Sequence, residues 1–368
     1  MELIPFLKPK VVTRPYYQRY LDEIDASRLY TNNGPLNKRF EARILQEYFR
    51  CEGDVVTVSN ATIGLLLAIS QMKRPGKYAL MPSFTFPATP LSTIWCGLEP
   101  YYVDIDMDRW CMDEDLLEMT LKKLGDEAAV VVPYATFGTQ LDLNYYSSLI
   151  KRGIPVVIDA ASSFGTTMEQ QDITRFEGAM VYSFHATKSF GIGEGGIVYS
   201  GNRELIQRIR CATNFGFNEE RVSSQLGLNG KISEYTAAIG LATLDVFSEK
   251  IRIREKIGEW YKKAWSDYKL EEAGWRLQAA TGKITYQFYP LLCPPEQENI
   301  YYVNKLRASA IQVRTYFSPP CHRQEMFRLH PRTSLTATEE ISRRILSLPV
   351  WEDISQEQVD RIVRSLGE

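Results

Sequence analysis

The stretch Ser183-Phe-His-Ala-Thr-Lys-Ser-Phe-Gly-Ile-Gly-Glu-Gly-Gly196 sets Lys188 between a short apolar run, Met180-Val-Tyr182, and a loop rich in glycine. A strand on one side fixes the main chain, and glycines on the other let a second molecule approach it closely. That placement suits an amine that condenses with an aldehyde, which needs a fixed position and a lowered proton affinity. Upstream, Val156-Val-Ile-Asp-Ala-Ala161 reads as a buried strand ending in an acid. A carboxylate there can keep a pyridine nitrogen protonated and so turn the ring into an electron sink. Lys188 and Asp159 are therefore the expected catalytic residues, and pyridoxal 5'-phosphate is the expected cofactor. The run Gly191-Ile-Gly-Glu-Gly-Gly196 precedes a strand rather than opening a helix, so it does not read as a dinucleotide fingerprint.

Outward from this point, strand and helix patterns alternate from about Pro35 to about Phe247. Pro35 to Tyr48 puts Leu36, Phe40, Ile44, Leu45 and Tyr48 on one helical face. Val55–Val58, Tyr78–Met81, Tyr101–Val103 and Ala128–Val132 read as strands, the last continuously apolar as in a parallel sheet covered on both faces. Ile63–Met72, Leu143–Lys151 and Arg203–Cys211 read as helices, with Val156–Asp159, Met180–Ser183 and Ile197–Ser200 as further strands. The alternation predicts an α/β fold, a mostly parallel central sheet flanked by helices, with ligands beyond the carboxyl ends of its strands. Ser233 caps a long helix over Glu234–Trp265. Beyond it, Ile284–Tyr289 alternates like a strand, Tyr302–Ser309 looks helical, Gln312–Phe317 and Leu346–Val350 are strand-like, and Ser355–Leu366 closes with a helix.

A chain of 368 residues exceeds the size at which a single core usually divides. Two domains are expected: a large α/β domain over 1–247 and a smaller α+β domain over 248–368, with the N-terminal segment packing on the latter. Lysine and arginine total 43 and the acids 45, giving a net charge of −2 without any dominant basic run. Nucleic acid and anionic membranes are thus not expected partners. The six cysteines are scattered with no CxxC pair, and the three histidines have no metal-ligand spacing, so neither a disulfide scaffold nor a metal site is expected. No apolar run reaches the about 18 residues of a membrane span, and the N-terminus has no long apolar leader, so the cytoplasm is the expected location.

A series of short motifs surrounds the lysine in order. They are Thr31-Asn-Asn-Gly-Pro35, Val58-Ser-Asn-Ala-Thr62, Pro82-Ser-Phe-Thr-Phe86, Val103-Asp-Ile-Asp106, Asp159-Ala-Ala161, Gly227-Leu-Asn-Gly-Lys231, Ala237-Ala-Ile-Gly-Leu241 and Ser347-Leu-Pro349. With them, nearly the whole chain resembles the nucleotide-sugar aminotransferases of fold type I, the DegT/DnrJ type. The resemblance implies a homodimer with shared active sites and L-glutamate as amino donor. The acceptor it implies is a nucleotide-diphosphate sugar, above all a dTDP-linked 4-keto-6-deoxyhexose, on a route to surface polysaccharide such as O-antigen, or to a glycoside. A 3-keto isomer, a cyclitol ketone, or a protein that keeps the cofactor without turnover are the alternatives.

The resemblance also assigns residues. Ala61, Thr62 and Ser183 would hold the cofactor's phosphate at a helix N-terminus, with Asn229 reaching in from the other subunit. Phe84 would stack on the pyridine ring, as an alternative to a place in the core. Ser162 stands where relatives often carry glutamine or histidine, yet a hydroxyl can still donate to the phenolic oxygen. Ala61 stands where glycine is usual, and Ala135 where histidine is often found. Asn33, His185, Lys231, Tyr316 and His322 would meet the substrate. Dehydratase relatives replace the Schiff-base lysine by histidine, so the presence of Lys188 favours transamination.

Overall fold

The computed structural model describes residues 2–167 and 171–367. Two helices, α1 (Arg14–Ser27) and α2 (Pro35–Phe49), lead into β1 (Asp54–Val58), α3 (Ala61–Met72), β2 (Tyr78–Pro82), α4 (Ala88–Trp95), β3 (Glu99–Val103), α5 (Glu114–Leu124) and β4 (Ala128–Val131). There follow α6 (Leu143–Lys151), β5 (Val157–Asp159), β6 (Ala179–Ser183), β7 (Gly196–Ser200), α7 (Arg203–Ala212) and the long α8 (Glu234–Asp267). The chain ends with β8 (Arg276–Leu277), β9 (Tyr289–Leu292), α9 (Asn299–Ala308), α10 (Thr336–Arg344), β10 (Ile345–Leu348) and α11 (Gln356–Gly367).

Strands β1 to β7 make one sheet in the order β3-β2-β4-β5-β6-β7-β1. Main-chain bonds of 2.9 Å from Val131 to Pro155 and from Asp159 to Pro133 join β4 to β5. β2 is parallel to β3 and β4, and β5 to β6, while β7 is antiparallel to both β6 and β1. The period-2 alternation of each strand divides its apolar side chains between two faces. Leu80, Val131, Ile158 and Ile197 meet Phe40, Ile44 and Leu241, so α2 and the first half of α8 cover one face. Ala79, Val130, Val157 and Val198 meet Leu65, Ile69, Leu205 and Ile209, so α3 and α7 cover the other. This is the α/β architecture expected, and β4 is buried throughout.

Helix starts follow local chemistry. The Asn60 side chain accepts from the Ile63 amide (2.9 Å), so Asn60 caps α3. Ser233 caps α8 through the Thr236 amide at 3.1 Å, as expected. At Gly240 an added Cβ would stand 2.6 Å from the Phe40 ring, so α2 and α8 approach closely only because glycine is there. A third cluster joins Ile257 and Tyr261 of α8 to Trp275, Tyr289, Leu291, Leu346 and Ile362, and Ile4 belongs to it, bonded on both sides of its main chain to the segment after α9.

One expectation shifts. The alternating run Ile284–Tyr289 is not a strand; pairing begins only at Tyr289, and the residues before it cross toward the ends of the large sheet's strands. Gln312–Phe317 likewise holds only one isolated bridge, at Arg314, with another just before it at Ile311. Alternation reports two faces with different neighbours, and here one neighbour is a cavity. Among the described residues no helix is long and apolar enough to cross a membrane, and no cluster of three or more His, Cys, Asp or Glu could hold a metal ion.

Candidate active site

Because every strand of the large sheet except β7 runs the same way, their carboxyl ends open on one side. There lies a cavity of about 670 Å3. Its wall takes Asn60, Ala61 and Thr62 from the start of α3, Phe86 from beyond β2, Tyr134 from beyond β4, Asp159 from the end of β5, and Ser183, His185 and Lys188 from the β6–β7 turn. Gln287, Phe288, Tyr316 and Phe317 close the opposite side.

Asp159 is 2 % exposed. Its two oxygens accept from Thr89 Oγ1 (2.7 Å) and the Ala161 amide (3.1 Å), and both donors are neutral. Desolvation pushes the carboxyl's pKa up, the two hydrogen bonds and the charge of Lys188 offsetting part of that cost. Lys188 Nζ donates to Gln287 Oε1 (2.9 Å) and Ser162 Oγ (3.1 Å), again neutral groups. Burial lowers its pKa to about 8, against the pull of Asp159. Both groups are thus held closer to neutrality than free side chains are, a signature of reactive sites.

The residues expected from sequence divide into two sets. Lys188, Asp159, Ser162, Ala61, Thr62, Ser183, His185 and Tyr316 all line the cavity. Phe84, Asn33, Lys231, Asn229 and His322 do not. Phe84 is fully buried, edge-on to Phe137 and Phe317, because the turn after β2 directs it into the core; Phe86, 56 % exposed, is the ring that reaches the wall. His322 is buried behind that turn, within 2.7 Å of Ser83 Oγ and 3.1 Å of Glu339, so it faces protein. Burial lowers its pKa against the raising effect of Glu339. Asn33 accepts from Asn37, and Lys231 bridges Asn214 and Asn229, each at 2.8 Å, away from the cavity of the same chain.

Sequence reading missed Thr89, Gln287, Tyr134 and Phe86. Thr85 and Thr89 share a helical i, i+4 spacing, and their hydroxyls lie 2.9 Å apart, a polar pair in an apolar segment that could have been noticed. Gln287 is the one carboxamide in the run Ile284-Thr-Tyr-Gln-Phe-Tyr289, but nothing local ties it to a lysine 99 residues away.

The donor set fits pyridoxal phosphate. A buried carboxylate with only neutral partners matches a protonated ring nitrogen, a lysine amine of lowered pKa matches the aldehyde, and the start of α3, where Ala61 and Thr62 line the cavity, is the kind of helix N-terminus that receives a phosphate. Thr62 and Ser183 add hydroxyls at that end. Space is tight there: a Cβ at Gly196 would meet the Tyr182 carbonyl at 2.6 Å and the Ala61 amide nitrogen at 3.2 Å.

Such a fold carrying such a site is that of the pyridoxal-phosphate-dependent transferases of fold type I, and the protein is a PLP-dependent aminotransferase. The model of the DegT/DnrJ/EryC1/StrS aminotransferase family matches residues 14–367, and the chain belongs to that family. A crystal structure of a proposed PLP-dependent aminotransferase from Bacillus cereus ATCC 10987 is 50 % identical, with a TM-score of 0.98 and 100 % of both chains covered. Protein MT3510 of Mycobacterium tuberculosis (strain CDC 1551 / Oshkosh) is 32 % identical over 99 % of this chain and 90 % of its own. The dTDP-4-amino-4,6-dideoxy-D-glucose transaminase of Shigella dysenteriae is 28 % identical over 98 % of this chain and 99 % of its own.

Proposed function

We propose that this enzyme moves an amino group from L-glutamate to the keto group of a nucleotide-linked deoxysugar, a dTDP-4-keto-6-deoxyhexose, to give a dTDP-amino sugar. The observation that carries the reading is the single cavity shared by the Lys188 amine, the Asp159 carboxylate and the start of α3, with the rings of Phe86, Tyr316 and Phe317 leaving further room beyond them. The choice of a dTDP sugar is supported by the dTDP-linked amino sugar in the name of the Shigella relative.

When bound, pyridoxal phosphate supplies a cationic ring that takes up the electron pair left as a Cα–H bond breaks. Asp159 would keep the ring nitrogen protonated. Lys188, once its amine is free, would carry the proton between the donor's Cα and the C4′ carbon, and in the opposite order on the sugar. Ser162 would donate to the phenolic oxygen. Thr62, Ser183 and the α3 amides would grip the phosphate and keep the ring in register with the amine. His185 and Tyr316 face the sugar side.

Asn229 does not line its own chain's cavity, and we assign it to the site of a second copy in a two-fold dimer. Asn229→Ala should then loosen cofactor retention, measured by dialysis and absorbance, while the unfolding midpoint stays put; unchanged retention would remove the reason for a shared site. We read a division into 1–247 and 248–368, supported by the cluster around Ile257, Tyr261 and Trp275 lying apart from the one that packs α2 on the large sheet. A cytoplasmic location and a product destined for surface polysaccharide or a glycoside belong to the same reading.

The test is a two-step assay. L-Glutamate alone should bleach the absorbance of the cofactor-loaded enzyme, and a panel of ketones should then restore it, fastest with the dTDP-4-keto-6-deoxyhexose. No bleaching would end the glutamate assignment. Restoration by the 3-keto isomer or by scyllo-inosose alone would move the substrate to those classes.

A further inference from the structure

Gln287 lies between α8 and β9 and is 9 % exposed. Its Oε1 accepts from Lys188 Nζ (2.9 Å) and from Ser162 Oγ (3.1 Å), and Nζ also donates to that hydroxyl, so the three groups close a ring of hydrogen bonds. An ammonium has no lone pair, so only the oxygen end of the amide can face it. The nitrogen end donates to Thr187 Oγ1 at 3.4 Å, which agrees with that orientation. The main chain beside it is pinned as well: the Tyr286 carbonyl accepts from Arg254 Nη1 at 2.6 Å, and Arg254 is ion-paired to Glu352 at 3.1 Å.

We propose that Gln287 is a positioning residue that, together with Ser162, holds the ε-amine of Lys188 in a parked site whenever that amine is free of cofactor. The inference rests on the reading of Lys188 as the cofactor-bearing lysine. An amine released in each half of the reaction must not wander, because it is needed again as the proton carrier. Its anchor must also be uncharged. A carboxylate at this distance would favour the ammonium form and suppress the basicity the reaction uses, whereas a carboxamide accepts the same hydrogen bond without adding charge.

Titratable and charged groups stand on each element packed around the amine, and of these Asp159 acts on it directly. Across the cavity and on the lysine's own turn stand Asp159, Tyr134, His185 and Glu194. Behind it, a small void is lined by Lys250, Arg254, Glu352, Lys8 and Lys10. None of these changes in a Gln287 variant, so a shift seen there reports the parked contact itself.

The experiment follows covalent capture of pyridoxal phosphate by the cofactor-free protein across neutral and alkaline pH, with borohydride reduction and peptide mapping. Capture by the wild type should rise as Lys188 loses its proton, with a midpoint near about 8. Gln287→Glu should move that midpoint up by about one pH unit, the effect of an opposite charge in contact. Gln287→Met, of similar volume but without the acceptor, should move it down and slow capture at the plateau about tenfold, the order contributed by a correctly held reacting group. Either variant decides alone, since each has its own sign, and circular dichroism checks the fold of both. Midpoints equal to the wild type's would overturn the parked site. A label on a lysine other than Lys188 in the wild type would instead overturn the reading beneath it.

Discussion

Two buried charged regions lie back to back in this molecule and are built in opposite ways. Behind the cavity, Lys250 and Arg254 of α8 converge on a single carboxylate oxygen of Glu352 at 3.5 and 3.1 Å, all three side chains at most 12 % exposed. In the cavity, Asp159 is buried and Lys188 half-buried, yet each bonds only to neutral groups. The first region supplies opposite charge from its own chain, which is how a fold tolerates desolvated ions. The second leaves the compensating charge to be brought by a ligand, so stability is given up where binding and chemistry are gained.

The sharpest way to break this contrast is Lys188→Ala. Turnover should fall about 10^3-fold or more, with no reducible cofactor linkage, the scale expected when a combined nucleophile and proton carrier is lost. Yet the cofactor-free protein should unfold no more easily than the wild type in urea. Glu352→Gln should do the reverse. It strands two buried cations and should cost about 3–5 kcal/mol in urea unfolding, while whatever protein stays folded still captures pyridoxal phosphate on Lys188.

Asp159→Asn sharpens the comparison further. Amino transfer should drop about 10^2-fold, since the ring nitrogen loses its anionic partner. The cofactor-free protein should be unchanged or stabilised by about 1 kcal/mol, because a desolvated charge has been removed and its hydrogen bonds can be kept. Destabilisation like that of Glu352→Gln would erase the distinction.

The smallest effect is in the pH dependence of the cofactor-free protein. Lys188 ionises near about 8 when folded and near its ordinary 10.5 when unfolded, so between those values the unfolded chain binds more protons and stability climbs as pH rises. Below about 8 the penalty is fully present. Asp159, with its pKa raised, acts in the acid range with the other sign: the folded state binds the extra proton, and stability falls as pH climbs through the carboxyl range. Unfolding midpoints of wild type and Lys188→Met, compared across alkaline pH, should converge upward; parallel curves would count against a desolvated amine.

Much of the cavity could be read from sequence because it is built from strand ends that announce themselves. Asp159 and Ser183 end apolar runs, Thr62 opens a helix, and Lys188 sits on the glycine turn that follows. What escaped reading came from segments with no period to follow. Phe84 and Phe86 differ by a turn whose geometry follows neither the strand nor the helix repeat, and alternation alone cannot say which ring faces inward. Ile284 to Phe288 alternates as a strand would, but the polar positions answer to Lys188 and Ser189 across a gap of about a hundred residues. His322 looks like a loop histidine until Ser83 and Glu339 close around it.

The reversed direction of β7 has its own outcome. Since β6 and β7 are paired at Ser183 and Gly196, the lysine rides a hairpin whose two feet are sewn into the sheet, instead of a crossover that travels over a helix. Residues added or removed within that hairpin would retune how far the amine extends while the seven-strand scaffold stayed as it is.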